Sequence, residues 1–80
     1  MSTTTITPAD AVRQLRAAAR KSQAATAAAA GVTQESVSRI ERGYGCSLGT
    51  LEAAVRALDG ALAVRMSDGR YLELILEPRR

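Results

Sequence analysis

Residues 31–45 read GVTQESVSRIERGYG, and the fold turns on how this stretch is understood. Gly31 suits the left-handed position that closes a preceding helix. Val32 and Thr33 make a short turn. Thr33 then caps a new helix from Gln34 to about Arg42. Val37 and Ile40 share its inward face at i, i+3 spacing. That leaves Gln34, Glu35, Ser38, Arg39 and Arg42 on the outside, so the polar face of this short helix has charge and hydrogen-bonding groups to spare. Gly43 and Gly45 end it and open a loop that carries Tyr44 and Cys46.

Outward from this stretch, the chain is punctuated by helix starts. Upstream, Ser22 is positioned to cap an alanine-rich helix, QAATAAAA. Alanine forms helix readily and has no bulk, so two helices can approach closely there. Further upstream, Thr7 caps and Pro8 fits the first turn of a helix that runs to about Lys21, with Asp10 at the positive end of its dipole. Val12, Leu15, Ala18 and Ala19 are its expected core stripe. Downstream, Ser47 caps a fourth helix to about Leu58, with Leu48, Leu51, Ala54, Val55 and Leu58 inward and Asp59-Gly60 as its stop. Residues 1–6 are expected to be disordered. The helical domain is assigned to 7–59 and a tail to 78–80.

Residues 60–77 change character. Two apolar-rich runs flank Asp68-Gly69, a favoured two-residue hairpin turn. In that register Met66 faces Tyr71, Val64 faces Glu73 and Leu62 faces Ile75. On the other face Arg65 meets Leu72, Ala63 meets Leu74 and Ala61 meets Leu76. Both faces are then apolar, and one hairpin alone is unstable in water. One face can cover the helices. A second copy of the chain is the simplest cover for the other, and Leu62, Val64, Met66, Leu72, Leu74 and Leu76 are the expected dimer-interface residues.

Composition bounds the function. Eighty residues make one small domain with a modest core. There is no Phe or Trp, which argues against an aromatic-lined pocket or a base-stacking single-strand binder. No histidine is present, and the one cysteine and scattered carboxylates make no metal cluster. No glycine-rich phosphate loop occurs either. An enzyme is not expected, and no cofactor or metal. Cys46 cannot form an internal disulfide, no apolar run is long enough to span a membrane, and MSTTTITP lacks the features of a secretory leader, so a cytoplasmic setting is expected. The net charge is +3. Residues 13–42 hold Arg13, Arg16, Arg20, Lys21, Arg39 and Arg42 against Glu35 and Glu41, a basic face of the kind that attracts nucleic acid. Arg13, Arg20 and Lys21 read as solvated side chains or weak phosphate contacts.

Helix, tight glycine turn and helix at a steep angle form the helix-turn-helix arrangement. The run SQAATAAAAGVTQESVSRIERG, residues 22–43, resembles the Cro/CI-type (XRE) helix-turn-helix family. Gln23, Ala27, Gly31, Val32, Thr33, Gln34, Val37, Ser38, Arg39, Ile40, Glu41, Arg42 and Gly43 carry the likeness. The family's usual leucine is Thr26 here. The segment SLGTLEAAVRALDGALAVRM resembles small antitoxin-type repressors of the HigA and HipB kind, in which a strand or hairpin after the fourth helix joins two subunits. These resemblances imply a mainly α fold: a four-helix, lambda-repressor-like domain followed by a β-hairpin that pairs or packs across a homodimer.

They also imply double-stranded DNA as partner and a repressor acting as a homodimer on a pseudo-palindromic operator. The alternative is an antitoxin that also neutralises a cognate toxin protein. Residues at the N-terminal end of a recognition helix reach base edges in the major groove. A glutamine amide suits adenine, an arginine fork suits guanine and a carboxylate can accept from cytosine. Gln34, Glu35, Ser38 and Arg39 are accordingly the base-contacting candidates. Gln23, Ser36, Arg42 and Tyr44 are the phosphate-contacting ones. By family likeness, Gln23 also buttresses the recognition helix, and Arg16 and Glu41 form a structural ion pair between the first and third helices.

Overall fold

The computed structural model describes residues 4–76. The expectations for residues 1–3, for residue 77 of the hairpin and for the 78–80 tail lie outside the described residues. The chain runs α1 (Pro8–Ala19), α2 (Gln23–Ala30), α3 (Gln34–Glu41), α4 (Leu48–Ala57), β1 (Leu62–Arg65) and β2 (Tyr71–Leu74). Mainly helical, with a C-terminal two-stranded antiparallel hairpin, it is the fold expected from the sequence.

Each expected cap is formed. Thr7, Ser22, Thr33 and Ser47 have extended backbones, and their hydroxyls accept the N–H groups of Asp10, Ala25, Ser36 and Thr50 at 3.0–3.1 Å. Each supplies a partner for an N–H that the helix cannot satisfy internally. The helix ends are equally specific. Gly31, at φ 72°, turns the chain after α2, where its own N–H donates to Ala28 O and that of Val32 to Ala27 O. This is the paired-bond closure of the Schellman motif, and its αL residue is the position at which glycine avoids the side-chain penalty. After α4 the same closure is made by Asp59 at φ 65°, a non-glycine residue in the left-handed region, followed by Gly60.

The helices close around Val12, Ala27, Val37, Ile40, Ala54 and Leu58, with Leu15, Val32 and Leu51 packed against them. Val12, Val37 and Ile40 are essentially fully buried, worth about 1.5–3 kcal/mol each in transfer free energy. Thr26, in place of the family's leucine, is also fully buried, and its hydroxyl donates to Ser22 O at 2.9 Å. Three expected core residues lie outside. Ala18 and Ala19, in the last turn of α1, are exposed. Leu48, at the first position of α4, is 52% exposed.

The hairpin departs from the expected register by one residue. Leu62 pairs with Leu74, Ala63 with Glu73, Val64 with Leu72 and Arg65 with Tyr71. A two-residue Asp-Gly turn needs left-handed backbone at both residues. Only Gly69 adopts it, at φ 92°, while Asp68 does not. The result is a three-residue loop, Ser67-Asp68-Gly69: Gly69 N–H donates to Met66 O (3.0 Å) and Met66 N–H to Arg70 O (2.7 Å). The Asp68 carboxylate accepts from the Arg70 backbone N–H (3.1 Å) and pairs with its guanidinium (2.8 Å), which fastens the loop.

This shift changes the amphipathicity. Residues opposite each other on paired strands share a face. Leu62, Val64, Leu72 and Leu74 therefore lie together, and Met66 and Leu76 continue the same alternation. The other face carries Ala63, Arg65, Tyr71 and Glu73, and by the same alternation Ile75, so the expectation of two apolar faces is corrected to one apolar and one mixed. The hairpin is tied to the helices by an Arg56–Glu73 ion pair (2.8 Å) and by Leu62, which lines a recess with Leu51 and Val55. Val64 and Leu72 remain about half exposed.

Candidate nucleic-acid interface

The α3 helix is set by a four-membered polar cluster at its C-terminal end. Glu41, on the inner side of α3, is 6% exposed. Arg16 of α1 meets it with a fork, Nε to Oε2 at 2.5 Å and Nη2 to Oε1 at 2.9 Å. Gln23 Nε2, at the start of α2, donates to Oε1 at 3.2 Å, and Arg13 Nη1 donates to the Glu41 carbonyl at 2.5 Å. Residues from α1 and α2 thus converge on one glutamate and lock the orientation of α3. The hydrogen-bonded Arg16 guanidinium, helped by Gln23, holds the Glu41 carboxyl below its ordinary range, so it is ionised at neutral pH. Arg16 and Glu41 thus form an ion pair between α1 and α3, and Gln23 touches α3 through the same carboxylate. Arg13, expected to be a solvated side chain or weak phosphate contact, is exposed, and it also joins this cluster and pairs with Asp10, an i, i+3 spacing legible in the sequence.

The opposite face of α3 is open. Gln34, Glu35, Arg39 and Arg42 are exposed, and Ser36 and Ser38 are half-buried. Among the base candidates, Gln34 lies at the first position of α3 and Arg39 in its last turn. Glu35 is also drawn along the helix surface to Arg42, with Oε2 to Nη2 at 3.0 Å. Among the phosphate candidates, the Ser36 hydroxyl is shared with Thr33 at 2.8 Å as part of the cap. Tyr44, just past the helix, is 54% exposed, and the guanidinium carbons of both Arg39 and Arg42 lie over its ring at 5.2 Å from the centroid.

Beside Arg39 is a shallow polar recess of about 160 Å³, lined by Ser36, Arg39, Gly45, Cys46, Ser47 and Thr50. Cys46 is a free, exposed thiol. Sequence reasoning did not bring Ser47 and Thr50 to this face; the signal was the cap itself, which begins α4 next to the loop. Among the described residues no cluster of His, Cys, Asp or Glu could hold a metal ion, and no helix is long and apolar enough to cross a membrane.

Known proteins give a family context for this geometry. A family model described as a helix-turn-helix domain matches residues 9–66. Among solved structures, the chain is similar to one titled "DNA bound antitoxin HigA3", with 33% sequence identity and a TM-score of 0.61 over 85% of this chain and 92% of that one. No curated protein matches it significantly.

Proposed function

The chain belongs to the helix-turn-helix domain family, as a regulator of the XRE type resembling HigA antitoxins, and we propose that it binds double-stranded DNA as a sequence-specific homodimeric repressor, its own promoter among its targets. The observation that carries this reading is the α3 face: one side is clamped to the body through Glu41, and the other presents Gln34, Glu35 and Arg39 to solvent, with Ser38 half-buried beside them. A rigidly held helix with a free polar face is what major-groove readout requires. In this reading those four residues contact bases. Gln23, Ser36, Arg42 and Tyr44 contact phosphates, which set affinity and register but not sequence. Gln23 has one amide hydrogen committed to Glu41 and a second free for phosphate.

The dimer is assigned to the hairpin. Leu62, Val64, Met66, Leu72, Leu74 and Leu76 make an apolar face that one chain leaves partly open to water, with Val64 and Leu72 49% and 51% exposed. A two-fold axis through it would let two α3 helices meet successive major grooves, about 34 Å apart.

Footprinting on the DNA flanking the protein's own gene, at two salt concentrations, tests this reading. Two protected half-sites about one turn apart, weaker at the higher salt, are expected. Val64→Lys with Leu72→Lys should give a monomer in sedimentation and lose the paired footprint. Salt-sensitive binding without a fixed footprint would overturn sequence-specific repression, and a dimer unaffected by the double substitution would overturn the hairpin interface.

The likeness to an antitoxin supports a second reading, compatible with the first: the chain also neutralises a toxin protein. Co-expression with the product of an adjacent small reading frame tests it. A stable complex that relieves growth arrest is expected, and free separation of the two proteins would refute it.

A further inference from the structure

We propose that Tyr44 is a positioning residue for the DNA-reading arginines: its ring is a common platform that orients Arg39, and with it Arg42, before DNA arrives. This rests on the reading of α3 as a DNA-contacting helix and deepens it. The platform is built by the backbone. Gly43, at φ 86°, takes the left-handed position after α3, its N–H donating to Ile40 O and that of Tyr44 to Arg39 O, each at 3.0 Å. This closure brings the residue after the glycine against the third residue from the helix end, usually as an apolar contact. Here those two residues are Tyr44 and Arg39, so the usual apolar contact is replaced by a guanidinium over an aromatic face. Arg42 uses the same ring and is tethered from its other side by Glu35.

Such ordering has a purpose at an interface. A free arginine loses rotamer freedom when its fork docks on a base edge, and a planar guanidinium already stacked loses less. Tyr44 thereby acts through Arg39, whatever its hydroxyl does. The ring carries the orienting effect, so phenylalanine should keep it and an aliphatic residue should not, while the hydroxyl's phosphate contact is lost in both. An exposed stack of this kind is worth about a 2.3- to 5.4-fold change in binding per half-site, hence about 5- to 30-fold for a two-half-site complex.

The test is a titration of the full chain against a duplex carrying its footprinted site and against an unrelated duplex of equal length. The variants are Tyr44→Phe, Tyr44→Leu, Arg39→Ala and the double Tyr44→Leu/Arg39→Ala, with thermal unfolding of each as a control for folding. Expected is a 5- to 30-fold loss on the specific duplex for Tyr44→Leu beyond that of Tyr44→Phe, which gives up only the hydroxyl's phosphate contact. In the Arg39→Ala background, Tyr44→Leu should cost much less. Equal losses for Phe and Leu would assign the effect to the hydroxyl and overturn the proposal, as would full additivity with Arg39→Ala. Intact specific binding by a folded Tyr44→Leu would overturn it alone. A wild-type protein that does not discriminate the two duplexes would remove the underlying reading and the proposal together. If Tyr44→Leu does not fold, the arginine side-chain proton shifts of the wild-type and Tyr44→Phe proteins decide: ring-current displacement at Arg39 in both is required.

Discussion

Replacing Arg16 with methionine keeps most of the stem's volume and removes the fork that holds Glu41. The carboxylate is then left at a site with 7% side-chain exposure, with one hydrogen bond from Gln23. Two charge-assisted bonds to Glu41 are lost, each worth about 1.5–3 kcal/mol, together with an exposed one from Arg16 Nη1 to Lys21 O, and breaking a fully buried pair costs about 3–5 kcal/mol. Arg16 itself is 23% exposed along its side chain, so water partly replaces it, and the expected loss is about 2–3 kcal/mol. An 80-residue domain has roughly 4–12 kcal/mol of stability, so the variant stays folded at 25 °C, while Tm falls by about 8–24 °C. Urea unfolding followed by circular dichroism at pH 7 reads this directly. The double variant Arg16→Met/Glu41→Leu should recover to within about 1 kcal/mol of wild type, because no charge is then stranded. A loss under about 0.5 kcal/mol for Arg16→Met would refute the clamp, and a double variant as weak as the single would refute stranding as its cause.

Three further outcomes follow from the same geometry. Glu41 titrates lower when folded than when unfolded, chiefly through Arg16. Its contribution is therefore present above the unfolded value near 4.3 and lost as pH falls from about 5 through the lowered native value. Wild-type stability should drop across that window, and Arg16→Met should show a shallower drop in the same unfolding assay. Gly31→Ala meets no atom within 4 Å and costs only its left-handed backbone, about 1 kcal/mol. In Gly60→Ala the added carbon would instead lie 3.0 Å from Val55 Cγ1 and 3.1 Å from Leu15 Cδ1, with an expected loss of about 1–3 kcal/mol by calorimetry. Asp59→Gly relieves a non-glycine αL residue and should raise stability by roughly 0.5 kcal/mol, measured by the same method; a loss would mean the aspartate side chain stabilises the turn.

The four caps and the glycine closure at Gly31 were legible in the sequence. A hydroxyl three residues before an N–H and a residue free to take positive φ are matters of neighbouring chain chemistry. The heptad-like core of Val12, Val37, Ile40, Ala54 and Leu58 was legible for the same reason, as helical period alone puts these residues on one side. Periodicity failed only where burial needs a partner, at Ala18, Ala19 and Leu48, since it marks a face without knowing whether anything covers it.

The hairpin shows the other limit. Asp68-Gly69 is compatible with a two- or a three-residue loop, and the choice moves every later side chain to the opposite face. The three-residue form needs left-handed backbone only at Gly69 and gathers Leu62, Val64, Leu72 and Leu74 on one side, an advantage that exists only once the strands are paired.

The sequence by itself therefore determined the helices, their boundaries to within a residue or two, and the residues that α3 turns outward, because these follow from capping and period within a few positions. Tertiary structure alone decided that Arg13 reaches the Glu41 carbonyl, that Gly60 packs closely against Val55 and Leu15, and which face of the hairpin gathers the leucines. Each joins groups that are distant along the chain or depends on a register, and a contact of that kind has no signature until the chain has closed on itself.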